Sequence, residues 1–173
     1  MSDIILNKDK RGYFTRLFDK NKINTSSINF NEIVNINESF SIHKGTFRGF
    51  HMQKNPNQEN KILRCVSGSL LNIIICLNKG DSHFGKIRII ELISGEEKLN
   101  LVPKGWANSI LTTSDNTKLI YFVDQYYYDK SEICLNYRSF FFPKEYISLI
   151  TTISDKDDNS QIINNINELK NIL

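Results

Sequence analysis

The sequence predicts an all-β fold, a two-sheet sandwich or closed barrel, finished by a short amphipathic α-helix near the C-terminus. From about Ile33 to Phe142, short β-type runs are separated by Gly, Asn, Asp and Pro punctuation, which is the spacing of sandwiches and barrels. Several runs are apolar almost throughout, LLNIIICL at 70–77 above all. Both faces of such a strand need a protein cover, which stacked sheets or a closed barrel provide and other subunits can extend. Beyond Asp157, Ile162, Ile163, Ile166, Leu169, Ile172 and Leu173 recur at roughly helical spacing instead, and the plain reading is a helix packed on the barrel.

The clearest strands are Ile62 to Val66, Leu70 to Leu77, Ile87 to Ile93, Lys98 to Val102 and Lys118 to Val123. Turn residues stand where they end: Ser67-Gly68, Lys79-Gly80-Asp81, Ser94-Gly95, Lys104-Gly105 and Ser114-Asp115-Asn116, types that bend the chain cheaply. The polar stretch Asp157-Asp158-Asn159-Ser160 precedes the helical pattern and reads as its start. With 40% hydrophobic and 11% aromatic residues among 173, the chain has material for one continuous core. One domain over 1–173 is expected, with N-terminal strands at 1–32, the barrel at 33–142 and the helix-bearing segment at 143–173.

Charge excludes some function classes. Lys and Arg number 22 against 19 Asp and Glu, a formal +3 spread along the chain without a basic block. That argues against a nucleic-acid-binding arm and suits an anionic small molecule. Cys65, Cys76 and Cys134 match no zinc or redox spacing and sit among apolar or β-type residues, so they read as reduced core residues of a cytosolic protein. The opening MSDIILNKDKRGYF is not a signal peptide, and no later apolar run approaches membrane length. A cytoplasmic protein without a membrane partner is expected.

The densest polar constellation is TFRGFHMQ at 46–53, followed by Lys61 and Arg64. On an ideal strand Arg48 and His51 point to opposite faces. They share a site only if the chain bulges near Gly49, where a glycine within a strand pattern permits it. On spacing alone, a His and an Arg three residues apart more often have no catalytic role than a catalytic one. A metal site is not expected, because His43, His51 and His83 lack the closely spaced His pair and Glu that such sites use.

Eight motifs occur in one order: RGYF (11–14), NES (37–39), KGTFRGFHMQ (44–53), KILRCVSG (61–68), SHFGK (82–86), VPKGWAN (102–108), YFVDQYY (121–127) and ISDKD (153–157). From Lys10 to Asp157 the chain thereby resembles the dTDP-4-dehydrorhamnose 3,5-epimerase family of cupin-like sugar epimerases. The resemblance implies a homodimeric, metal- and cofactor-free jelly-roll barrel, with 1–32 as a dimer arm. It also implies a nucleotide-diphosphate substrate bearing a 4-keto-6-deoxy sugar. A ketone acidifies the hydrogens at C3 and C5, so inversion needs a base on one face, an acid on the other and a positive group at the enolate oxygen.

By the same resemblance, His51 matches the base, Asp157 its carboxylate partner, Tyr121 the opposite-face acid and Lys61 the cation at the C4 oxygen. Arg48 matches a sugar contact and Arg11 a diphosphate contact. Tyr13, Asn37, Gln53 and Tyr127 match lesser binding positions. Read as residues alone, Tyr121 could be core, Lys61 and Arg11 solvated charges, and Asp157 the N-cap of the last helix. Departures stand beside the matches. Asn108 replaces a common second histidine and can hydrogen-bond a sugar oxygen but not shuttle protons. Asn72 and Cys76 replace acidic residues, and the loss of a carboxylate is expected to lower the basicity of His51 unless Asp157 compensates. Arg16 also replaces an acidic residue. Alternatives are a related cupin acting on another nucleotide sugar, such as a 4-keto heptose, at one centre only or as a ketoisomerase, and a non-catalytic sugar-binding cupin.

Overall fold

The computed structural model describes residues 2–3, 5–19, 21, 30, 32–96 and 98–172. Two five-stranded antiparallel sheets face each other. The first runs β1 (Ser2–Asp3), β9 (Lys98–Val102), β6 (Lys61–Ser67), β11 (Thr117–Val123), β4 (Asn35–Ser41). The second runs β12 (Glu132–Cys134), β5 (Phe47–Gln53), β10 (Trp106–Thr112), β7 (Ser69–Cys76), β8 (Ile87–Ile93). A hairpin of β2 (Asn7–Asp9) and β3 (Gly12–Phe14) stands outside both. This is the jelly-roll sandwich of the expectation, with the expected strands in place to within a residue at each end.

β7 shows why an almost wholly apolar strand belongs here. Leu70, Ile74 and Cys76 pack between the sheets against Leu63 and Cys65 of β6 and Leu119 of β11. Ile73 and Ile75 face the other way, onto Leu135, Tyr137, Phe142, Ile163 and Leu169. The outer cover is thus the chain's own C-terminal segment. Ile73, Ile74 and Ile75 are at most 1% exposed, a burial worth roughly 1.5–3 kcal/mol each. The outer face of the first sheet is covered in the same way by Leu6 and Phe30, packed on Ile62, Leu99 and Phe122.

The C-terminal segment departs from the expected single helix. Helical turns form at Lys144–Ile147, Asp155–Asp158 and Ile166–Lys170. Ile163 is buried but lies outside any helix, beside the point where Gln161 bridges Leu135. The last helix starts late because the Asn165 side chain accepts from the Asn167 and Glu168 backbone N–H groups, a cap that sets the first turn there. Ile162 and Ile166 are left 44% and 40% exposed, so the helical stripe is only partly buried. Leu173 lies outside the described residues, as does much of the expected arm at 1–32. Asp157 caps nothing: Ser154 caps the Asp155–Asp158 turn, accepting from the Asp157 N–H.

The departure from ideal β geometry falls at Gly49. His51 pairs with Asn108 and Arg48 with Ile110, so β5 spends three residues where β10 spends two. That is a bulge. It returns Arg48 and His51 to one face while Phe47, Phe50 and Met52 enter the core beneath the C-terminal segment. Gly49 has φ +131°, and a Cβ there would collide with the Ser109 side chain and the Asn108 carbonyl. Gly49→Ala should therefore destabilise the protein by about 2 kcal/mol or more. Urea unfolding checks this, and an unchanged midpoint would contradict it.

Candidate active site

The bulge turns His51 toward the space between the sheets, where the C-terminal segment meets it. Asp157 Oδ1 lies 2.7 Å from His51 Nε2, and Asp157 Oδ2 accepts from the Gly49 N–H at 3.1 Å. The same glycine thus shapes the strand and binds the carboxylate. Asp157 is held in place by the Ser154 cap, by Asn136 Nδ2 donating to its carbonyl at 3.1 Å and by Ser160 Oγ donating to the same oxygen at 2.6 Å. A carboxylate accepting from Nε2–H fixes the ring and leaves the Nδ1 lone pair as the base. Burial alone would raise the Asp157 pKa, but the His51 hydrogen bond and charge and the Gly49 and Cys134 contacts outweigh it, so the carboxyl titrates below its ordinary value.

The opposing sheet supplies the other groups. Tyr121 of β11, cross-strand from Leu63 and Asn37, lines the same cavity of about 530 Å³ as His51, together with Arg48, Lys61, Asn108 and Asp157. An adjoining cavity of about 400 Å³ shares His51, Lys61 and Tyr121 and adds Asn37, Gln53, Glu59 and Tyr127. Burial pushes the Tyr121 pKa up, Glu59 adds to this and Arg48 partly offsets it. The phenol therefore keeps its proton at neutral pH and is ready to donate. Lys61 Nζ lies 2.9 Å from Glu59 Oε1, both side chains only 12% exposed. Arg48 is steadied by Ser41 Oγ at 3.3 Å and the Phe40 carbonyl at 3.0 Å.

The remaining expected residues divide. Asn37 and Tyr127 line the second cavity, the Tyr127 hydroxyl donating to Glu132 at 2.9 Å. Gln53 also lines it, but its amide donates to the Tyr126 carbonyl at 3.0 Å and accepts from the Tyr128 N–H at 2.6 Å, so it shapes the tyrosine loop. Arg11 and Tyr13, on the outlying hairpin, line neither cavity. Arg11 pairs with Asp9 at 2.7 Å with its side chain 84% exposed, and Tyr13 is 55% exposed.

The family model described as dTDP-4-dehydrorhamnose 3,5-epimerase matches residues 3–165. The chain belongs to this family, whose members are isomerases. It is 28% identical over 153 residues, 88% of this chain and 84% of the relative, to the dTDP-4-dehydrorhamnose 3,5-epimerase of Shigella flexneri. The crystal structure of the Bacillus anthracis epimerase with TDP and PPi bound superposes with a TM-score of 0.83 at 30% identity, covering 93% of this chain and 91% of that one. A Legionella pneumophila epimerase in complex with dTDP-4-keto-L-rhamnose shares the fold at 23% identity, with a TM-score of 0.77 over 95% of this chain and 86% of that one.

One departure from the family pattern and one expected core cysteine take on a different meaning in three dimensions. Asn72 is fully buried and bonds Asn108, not His51, so its change from an acid leaves His51 with its own carboxylate partner, Asp157. Cys134 is not a core residue, unlike buried Cys65 and Cys76. Its thiol lies 3.5 Å from Asp157 Oδ1, and its pKa is pushed up to about 11, chiefly by burial and further by Asp157. Sequence reading missed it, and missed Lys156 and Glu132, which line the cavities and pair at 2.7 Å. Lys156 adjoins Asp157 within ISDKD, which was the available signal; Glu132 had none.

Among the described residues, one group could offer three atoms to a metal: His51, Cys134 and Asp157, all within 4.8 Å of one another. Here those atoms are engaged with one another, the thiol holding its proton. Among the described residues no helix is long and apolar enough to cross a membrane.

Because the Asp157 pKa is lower folded than unfolded, its ionised contacts stabilise the fold above the ordinary value of 3.8 and the benefit is lost as pH falls through the folded value. The stability advantage of the wild type over Asp157→Asn should therefore shrink as pH falls from about 6 to about 3. Urea midpoints across this range check it; a difference that stays constant would refute the linkage.

Proposed function

We propose that this chain epimerises a thymidine-diphosphate 4-keto-6-deoxy sugar at C3, C5 or both through an enolate. The observation that carries this reading is His51 of one sheet, paired with Asp157 of the C-terminal segment, facing Tyr121 of the other sheet across a shared cavity. His51 Nδ1 takes the proton from the carbon beside the ketone, and the released electron pair moves onto the C4 oxygen. Asp157 stabilises the imidazolium that forms. Tyr121 returns a proton to the opposite face of the same carbon, which inverts it. Lys61, lining both cavities, is the cation for the enolate oxygen, and Arg48 holds the sugar. A histidine and a tyrosine on separate cavities would have favoured a non-catalytic sugar-binding cupin; here they share one.

The nucleotide assignment rests on relatives. The Bacillus anthracis epimerase was solved with TDP and PPi, and the second cavity, rimmed by Tyr127, adjoins the catalytic one. The family's dimer extends to this chain on the strength of exposed Ile36 and Phe40 on edge strand β4 and of exposed Phe14 on the hairpin. In such a dimer Arg11 and Tyr13, which line neither of the two cavities described above, would reach the partner's nucleotide.

In heavy water, the wild type given a dTDP-4-keto-6-deoxy sugar should place deuterium at C3, C5 or both, read by NMR. His51→Asn should lower exchange by about 100-fold or more. Tyr121→Phe should still remove protons yet fail to invert. A wild type that exchanges no position on any nucleotide 4-keto sugar would sink the reading, as would normal inversion by Tyr121→Phe.

A further inference from the structure

The two asparagines that depart from the family pattern form one device. Asn72 lies on β7 and Asn108 on β10, in adjacent strands of the second sheet where Asn72 is cross-strand from Ile110 and Asn108 from Ile74. Asn72 Nδ2 donates to the Asn108 side-chain oxygen at 2.7 Å and to the Ser109 backbone carbonyl at 2.7 Å. The Asn72 side-chain oxygen accepts in turn from Asn100 Nδ2. Asn72 and Asn100 are 0% and 3% exposed, so this end of the chain of amides is closed off from solvent, while Asn108 lines the cavity.

A side-chain amide can ordinarily be turned either way, but a backbone carbonyl can only accept. The Ser109 carbonyl therefore fixes the nitrogen of Asn72, and that nitrogen fixes the oxygen of Asn108. With its oxygen turned toward Asn72, Asn108 is left with an unengaged NH2 group to offer to the cavity it lines. Reversing it would set one NH2 against another and leave a buried donor without an acceptor, a cost of about 1–3 kcal/mol.

Its position says what that NH2 meets. Asn108 is cross-strand from His51, with side chains about 5 Å apart at their bases. A sugar carbon close enough to His51 to lose a proton carries the ketone on its neighbour, within reach of the adjacent amide. We propose that Asn108 is a specificity-determining catalytic residue, a fixed neutral donor to the C4 oxygen as it becomes an enolate. Asn72 acts as the positioning residue that makes it a donor. The inference rests on the epimerase reading given above. A neutral donor has particular use here because Lys61, the cation of the site, is already paired with Glu59. The same arrangement rejects a ligand that places an ammonium group at that point, since two donors would then face each other.

The decisive variants are Asn108→Asp and Asn108→His, compared by deuterium exchange into a dTDP-4-keto-6-deoxy sugar, with melting temperatures as the folding control. Aspartate keeps the bond from Asn72 but turns an acceptor toward the sugar, and should lower kcat by about 100-fold. Histidine restores a donor and should keep most of the activity while adding a second titrating group to the pH profile. Exchange by Asn108→Asp at the wild-type rate would overturn the proposal. Side-chain amide NMR of the ligand-free wild type gives a reading that needs no turnover: the Asn72 NH2 protons should exchange slowly with water and the Asn108 NH2 protons fast. Slow exchange at Asn108 would overturn the assigned orientation. A wild type inactive on every keto sugar would remove the epimerase reading instead, and the amide exchange would still decide the orientation.

Discussion

The hydrogen bond between His51 and Asp157 joins residues 106 positions apart, and much of the molecule is arranged so that it can form. The carboxylate arrives only because the C-terminal segment packs on the outer face of the second sheet, through Phe142, Ile163 and Leu169. The imidazole arrives only because β5 spends an extra residue at Gly49. Burial that covers an apolar sheet thus also delivers a charged side chain to the place where it is needed, and the desolvation penalty on that charge is offset by an imidazole, a backbone N–H and a thiol.

How far the sequence reveals this depends on whether a feature is periodic or a matter of contact. Strands such as Ile87–Ile93 and Lys98–Val102 are bounded by Gly and Pro and carry their period openly, and the structure has them at the same residues. Opposite faces for Arg48 and His51 is what ideal strand geometry dictates; the glycine between them marks where it fails, and the bulge follows. The short C-terminal helix is present but starts later than its apolar spacing suggests, because Ile163 is used in irregular chain and Asn165 delays the first turn. Periodicity does not distinguish a helix from a strap that buries every third or fourth residue.

Contacts between distant residues were less legible. Cys134 looks like any β-strand cysteine until β12 pairs with β5 and places it opposite His51. Asn72 and Asn108 look like two separate losses, one of a carboxylate near the base and one of a second proton carrier. The hydrogen bond between their side-chain amides makes them a single exchange, in which an ionisable pair gives way to a neutral one of defined polarity. Motif matching found most of the residues that line the two cavities because each lies in a local run. It could not show that Arg11 and Tyr13 stand away from the cavities of their own chain.

Under the proposed roles the two sheets divide the chemical labour, and that division is what suits the fold to the reaction. Inversion at a carbon requires proton donors and acceptors on opposite faces of a flat enolate, held far enough apart to admit a sugar ring and too rigidly to collapse on each other. A sandwich with an open end meets that need, because sheets stacked roughly 10 Å apart leave a slot between them wherever the side chains are short or polar. At the closed end Leu63, Ile74, Ile110 and Leu119 fill the slot. At the open end His51 and Asn108 rise from one wall and Tyr121 and Lys61 from the other. The transition from core to active site is therefore made within single strands: Leu63 and Lys61 on β6, Leu119 and Tyr121 on β11, and Ile110 and Asn108 on β10. On each, a step of two residues along the strand exchanges an apolar side chain for a polar one without turning the backbone.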